Sequence, residues 1–164
     1  MSERTYLSFS TAEEKSLFSE YVEQWVSQFY GEVAELLERC ESPIERLFAI
    51  AMWGELKLSF PEIAWECMEA PYPECEGTFF AQAHIGPYRA DFMISIPQRL
   101  ALIVECDGHE YHDRTKEQAR RDRQRDRWFQ TKGYIVLRFA GSEIVKDPQG
   151  CAKQVRETIY ARVF

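Results

Sequence analysis

The sequence predicts an α/β protein: a mixed central sheet of about four strands flanked by helices, with a helical extension at the N-terminus. Three observations carry that expectation. Two amphipathic helical segments open the chain, four short strand candidates crowd into its second half, and a helical segment separates the third strand from the fourth. A strand–helix–strand crossover implies parallel pairing, whereas closely spaced strands form antiparallel hairpins. At 164 residues the chain suits one compact domain with a substantial core, read as a helical extension over 1–41 and a core over 42–164.

Ser10 or Thr11, followed by Glu13 and Glu14, starts the first helix. Leu17, Phe18, Tyr21, Val22, Trp25, Phe29, Val33 and Leu36 recur at three- and four-residue intervals and make one apolar face. That helix is expected to reach about Leu37, with a bend near Gly31. Ser42-Pro43-Ile44-Glu45 opens a second helix with Ser as N-cap, Pro at the first position and Glu three after the cap. Its buried face is read as Ile44, Leu47, Phe48 and Ala51. Residues 59–77 hold three prolines and Gly77, and predict a loop with at most one helical turn.

Thr78–Ile85 and Tyr88–Ile96 flank Gly86-Pro87 and predict a hairpin. Leu100–Asp107 is nearly continuous in apolar residues, as suits a strand covered on both faces. Arg114–Lys132 reads as a helix stopped by Gly133. Tyr134–Phe139 is a fourth strand, and Asp147-Pro148 caps a last helix with Ala152, Val155, Ile159 and Val163 as its apolar stripe.

Composition narrows the class. No apolar run approaches the roughly 20 residues that span a bilayer, and MSERTYLSFS carries no secretory pattern, so a cytoplasmic protein without a membrane partner is expected. Five cysteines without a C-x-x-C pair argue for reduced thiols. Cys67, Cys75 and His84 can be drawn together as a zinc site, but their spacing is irregular and buried free thiols are the expectation. The net charge of −7 is unevenly spread: residues 1–80 hold 5 Lys/Arg against 16 Asp/Glu, and residues 81–164 hold 15 against 11. Arg114–Arg127 alone carries seven basic residues against three acidic ones. Such a strip is compatible with a polyanionic partner. Half of it reads as a solvated, salt-bridged face, and Lys116, Arg120 and Arg123 are the candidates for phosphate contact.

The acids are more specific. Strand side chains alternate, so Tyr88, Ala90, Phe92, Ile94 and Ile96 are expected on one face, with Arg89, Asp91 and Met93 on the other. Asp91 is thus a carboxylate in mid-strand, where Asp is disfavoured. Glu105 and Asp107, two apart, share a side of the next strand. If the two strands are neighbours, three carboxylates converge, and their repulsion calls for a cation such as Mg²⁺ or Mn²⁺. The competing reading pairs each acid with an arginine: Asp91 with Arg89, Glu105 or Asp107 with Arg138. Gly108 allows a sharp turn that brings His109 and His112 back over the acids, where either can serve as general acid or base; both can equally be surface-loop residues.

The stretches Ser42-Pro43-Ile44-Glu45, Ile85-Gly86-Pro87-Tyr88-Arg89-Ala90-Asp91-Phe92, Val104-Glu105-Cys106-Asp107-Gly108-His109 and Val136-Leu137-Arg138-Phe139 lie in order over about two-thirds of the chain. Together they resemble the PD-(D/E)xK nuclease superfamily, the restriction-endonuclease-like fold, and within it the branch similar to very-short-patch-repair endonucleases. The resemblance implies a catalytic core in which Asp91 and Glu105 hold Mg²⁺ or Mn²⁺, the main-chain carbonyl of Cys106 adds a ligand, and Glu45 reaches the ion through water. Glu45 is equally suited to the capping box. His112 falls where that branch carries a catalytic histidine and is favoured over His109. The superfamily's lysine, two after the glutamate, is Asp107 here, which removes the usual means of positioning the attacking water. Lys116, Gln118 or His112 are the candidates to replace it, and Asp107 can itself bind metal.

The function this implies is metal-dependent hydrolysis of phosphodiester bonds, with DNA favoured over RNA as substrate. A non-cleaving DNA-binding or protein-interaction module on the same scaffold is the alternative, with Tyr21, Trp25 and Phe29 as partner surface in place of core.

Overall fold

The computed structural model describes residues 11–60, 63–65, 77–107 and 116–164. The elements run α1 (Ala12–Arg39), α2 (Pro43–Ser59), β1 (Ile63–Trp65), β2 (Gly77–Ile85), β3 (Tyr88–Ile96), β4 (Leu100–Asp107), α3 (Lys116–Thr131), β5 (Ile135–Ala140), α4 (Gly141–Lys146) and α5 (Pro148–Val163). One five-stranded sheet has the order β1-β2-β3-β4-β5. β2, β3 and β4 are antiparallel, while β1–β2 and β4–β5 are parallel. The mixed sheet, the hairpin and the parallel crossover agree with the sequence expectation. Among the described residues, no helix is long and apolar enough to cross a membrane.

Local chemistry sets the helix ends. The Ser42 hydroxyl accepts the Glu45 N–H at 3.2 Å, and Pro43 occupies a first-turn position that needs no N–H. Asp147 caps α5 by accepting the Gly150 N–H at 2.8 Å, ahead of Pro148. Gly133, at φ +82°, stops α3 as predicted. Helix α1 continues through Gly31 to Arg39.

The sheet separates two apolar layers. The main core brings Val33 and Leu36 of α1, Phe48, Met52 and Leu56 of α2, and Val155 and Ile159 of α5 onto Phe79, Phe92, Leu102 and Phe139. On the opposite side, Trp128 and Phe129 of α3 pack with Ile85, Tyr88, Ala90, Met93, Ile103 and Val136. Gly86 makes the tight turn of the β2–β3 hairpin at φ +58°, and a Cβ placed there would lie 2.7 Å from the Trp128 ring. Gly86→Ala is therefore expected to cost about 1–3 kcal/mol in urea unfolding, because backbone strain and overpacking add. An unchanged midpoint would contradict this packing.

Several expectations are corrected. Two elements lie beyond the expected set: the three-residue edge strand β1, within the proline-rich stretch, and the short α4. Three residues have no periodicity to read; β1 exists because Ile63 is buried and its backbone pairs with β2. Leu47 is 37% exposed and Leu17 62% exposed, so neither belongs to the buried face assigned to it. The seam of α2 runs instead through Phe48, Ala49, Met52 and Leu56.

The expected single face for Tyr88, Ala90, Phe92, Ile94 and Ile96 is also wrong. Tyr88 and Ala90 pack with α3, whereas Phe92, Ile94 and Ile96 pack in the main core. β2 changes sides likewise, between Ala81 and Ala83. The change coincides with Gln82, a non-glycine residue at φ +51°, and the cross-strand pair Gln82–Asp91 is missing from the ladder. A left-handed residue within a strand breaks the strict alternation of sides. Asp91 sits at that break.

Candidate functional site

Asp91 owes its surroundings to this irregularity. Pairing of β3 with β4 stops at Phe92–Val104, so the next register position sets Asp91 against Glu105. The Asp91 carboxylate fills the gap between the strands and accepts the Cys106 N–H at 2.7 Å. Glu105, 4% exposed, follows Val104 on β4, and its register partner on β5 is Arg138. Asp107, two further on, accepts from Arg138 at 3.3 Å, and Arg138 also donates to Asp126 of α3 at 2.6 Å.

Glu45 reaches the same place from α2. It is 7% exposed, and one of its oxygens accepts the Glu41 N–H at 2.9 Å and the Gln82 side-chain amide at 2.7 Å. The reciprocal capping-box bond to the Ser42 N–H is thus not made: the backbone group Glu45 satisfies is that of Glu41, one residue before the Ser42 cap. The same carboxylate repels Asp91. Gln82 thus connects the strained position of β2 to the acid of α2.

The charges are costly where they lie. Burial pushes the Asp91 carboxyl above the ordinary aspartate range, opposed by the Cys106 N–H and aggravated by Glu45 and Asp107. Glu105 is raised to about 7, chiefly by burial; Arg125 opposes this and Asp91 adds to it. Burial and the surrounding acids push the Cys106 thiol far up, so it stays protonated and is no thiolate ligand or nucleophile.

The structure answers the arginine-pairing alternative residue by residue. Arg89 pairs with Glu41 at 2.5 Å and not with Asp91. Arg138 pairs with Asp107. The partner of Glu105 is Arg125, through its Nη2. The sequence reading overlooked Arg125 within the basic run of α3, although a signal was present. Trp128 and Phe129, three and four residues on, mark the helix face that turns to the sheet. Arg120 and Arg123, the expected phosphate contacts, are exposed and lie by helical spacing on the opposite side from Arg125.

The side chain of Lys116 is outside the described residues, as are Cys67, Cys75, His109 and His112 and the side chains of Tyr21, Trp25, Phe29 and Gln118. Cys40 and Cys151 are buried and in no disulfide, and the Cys40 thiol donates to the Leu36 carbonyl at 3.4 Å.

As the side chains lie, no three His, Cys, Asp or Glu residues among those described stand together closely enough to hold a metal ion. The chemistry of the donors nevertheless fits a hard divalent cation. A half-buried carboxylate, Asp91, and a buried one, Glu105, stand at facing register positions with two more acids nearby, and both are shifted toward protonation even with Arg125 beside them. Arg125 offsets that cost only in part.

A mixed sheet between helical layers is consistent with the restriction-endonuclease-like α/β fold. The family model REase_MTES_1575, a restriction-endonuclease-like family, matches residues 76–159, slightly more than half of the chain, and the chain belongs to that family. An uncharacterized protein of Haemophilus influenzae is 32% identical over 89 residues, which are 54% of this chain and 50% of that protein. The chain thus spans about half the length of this curated relative. No solved structure matches.

Proposed function

We propose that the protein is a divalent-metal-dependent endonuclease that hydrolyses phosphodiester bonds in DNA. The observation that carries this reading is the facing of Asp91 and Glu105 at the point where β3 and β4 part. Asp91, Glu105 and the carbonyl of Cys106 would hold Mg²⁺ or Mn²⁺, with Asp107 as a further ligand and Glu45 acting through water. Bound there, the ion would supply positive charge to the phosphate and lower the pKa of an attacking water.

The protein's own groups set the rest. The Cys106 N–H holds Asp91 across the strand gap, and Gln82 anchors one oxygen of Glu45. Arg138 ties down Asp107, the residue in place of the family's lysine, so His112 is assigned the proton transfer, with His109 second. Lys116 is assigned to the DNA backbone, and Arg120 and Arg123, on the side of α3 turned away from Arg125, to phosphates away from the acids. The expected location is the cytoplasm.

The test is incubation of the purified chain with duplex, nicked, mismatched and single-stranded DNA, and with RNA, in Mg²⁺ or Mn²⁺. Cleavage of DNA abolished by EDTA is expected. One observation favours a second reading, a non-cleaving DNA-binding module: Asp107 replaces the lysine and both β4 acids are ion-paired. That reading gives salt-sensitive, EDTA-indifferent DNA binding without cleavage, an outcome that removes the first.

A further inference from the structure

Arg125 is poorly satisfied for a half-buried arginine. Its Nη2 donates both to Glu105 and to the Arg89 carbonyl, the latter at 3.0 Å. Its Nε is buried and has no acceptor among the described residues. The guanidinium lies 5.5 Å from the centre of the Phe129 ring, whose face attracts a cation without using a donor. A buried donor left unmade costs about 1–3 kcal/mol. Arg138 differs, with two nitrogens each on its own carboxylate, Asp107 and Asp126.

We infer that Arg125 is a displaceable counter-ion: it neutralises Glu105 while the acidic site lacks a cation, and it turns onto the phosphodiester when a divalent cation takes Glu105. The inference rests on the nuclease reading above. Three features support it. Arg125 engages only one oxygen of Glu105, and a divalent cation on the other would set two positive charges against each other across a single carboxylate. The fixed elements around the head group, the Phe129 ring and the Arg89 carbonyl, are neutral and hold it near the site once the carboxylate is lost. The idle Nε–H, together with an Nη–H, forms the fork that matches two oxygens of a phosphate. The positive charge is therefore kept beside the acids and handed to the substrate as the cation arrives. Arg125 then acts in two opposed ways, weakening metal binding and strengthening hold on the phosphate.

Those opposed effects define the experiment. Mn²⁺ binding to the full chain is measured by calorimetry for wild type, Arg125→Met, Arg125→Lys and Asp91→Asn, with circular dichroism to confirm folding. Arg125→Met is expected to bind Mn²⁺ about tenfold more tightly, as one competing charge is removed (about 1.4 kcal/mol by the tenfold conversion). At saturating Mn²⁺ its turnover on DNA should fall roughly a hundredfold, the scale for losing one charge-stabilising group. Arg125→Lys keeps the charge and loses the fork; it should retain near-wild-type Mn²⁺ affinity and still lose turnover, and it serves if the Met variant does not fold. Unchanged or weaker Mn²⁺ binding by folded Arg125→Met, with wild-type binding that Asp91→Asn abolishes, overturns the role of Arg125 and leaves the nuclease reading standing. So does full turnover by Arg125→Lys. No Mn²⁺ binding in any variant overturns both.

Discussion

Asp91→Asn and Glu105→Gln are each expected to reduce metal-dependent DNA cleavage by roughly a thousandfold or more while the chain stays folded. Both changes remove a charge and keep the shape. In the first variant the new amide oxygen can still accept the Cys106 N–H that bridges the parted strands. In the second, the new amide oxygen can still face Arg125. Loss of activity would then report the loss of a charged ligand and not a collapsed sheet, and circular dichroism melts beside the cleavage assay separate the two. A variant at Asp91 that cuts as well as wild type in Mn²⁺ would show that the site has been misassigned. The same acids give metal binding a pH dependence. Glu105 is raised in the folded protein from the ordinary glutamate value of 4.5 to about 7. Between those values the metal-free fold holds a proton that the unfolded chain has released, so this group lowers stability as pH rises through the window. Cation uptake must displace that proton. Mn²⁺ affinity is therefore expected to rise up to about pH 7 and flatten above it, as calorimetry in buffers of different pH would show.

Phe48→Ala is expected to cost about 3–5 kcal/mol and to lower the melting temperature by roughly 10 °C. The ring is fully buried and edges onto Phe139 at 5.0 Å and Phe92 at 6.4 Å, so its removal leaves a void between α2 and the middle of the sheet. Denaturant melts of Phe48→Ala and Phe48→Leu should place the Leu variant well above the Ala variant, since leucine refills much of the volume. The change should also reach the site. Phe48 lies one helical turn from Glu45, and Phe92 directly follows Asp91, so this contact sets the distance between the acid of α2 and that of β3. A cost below about 1 kcal/mol for Phe48→Ala, well under the usual range for a buried aromatic, would mean that α2 does not depend on this packing.

The division between what the chain spells out locally and what it leaves to assembly is clear at particular residues. β3 and β4 were legible to their ends because turn residues bound each of them and their apolar content is dense. The caps at Ser42 and Asp147 and the stop at Gly133 were legible because a few neighbouring atoms decide them. Asp91 and Glu105 stood out because a carboxylate in an apolar strand is costly unless something nearby offsets it. Packing decided the rest. Alternation alone assigns Ala90 and Phe92 to one side, but a left-handed residue on the neighbouring strand, Gln82, sends them to opposite cores and leaves Asp91 between the two. Arg125 could be singled out from its basic neighbours only by the helix face that meets the sheet, and β1 exists only because β2 is there to pair with it. Short-range chemistry is written residue by residue; the choice of which charge meets which is a property of surfaces that touch only in the folded chain.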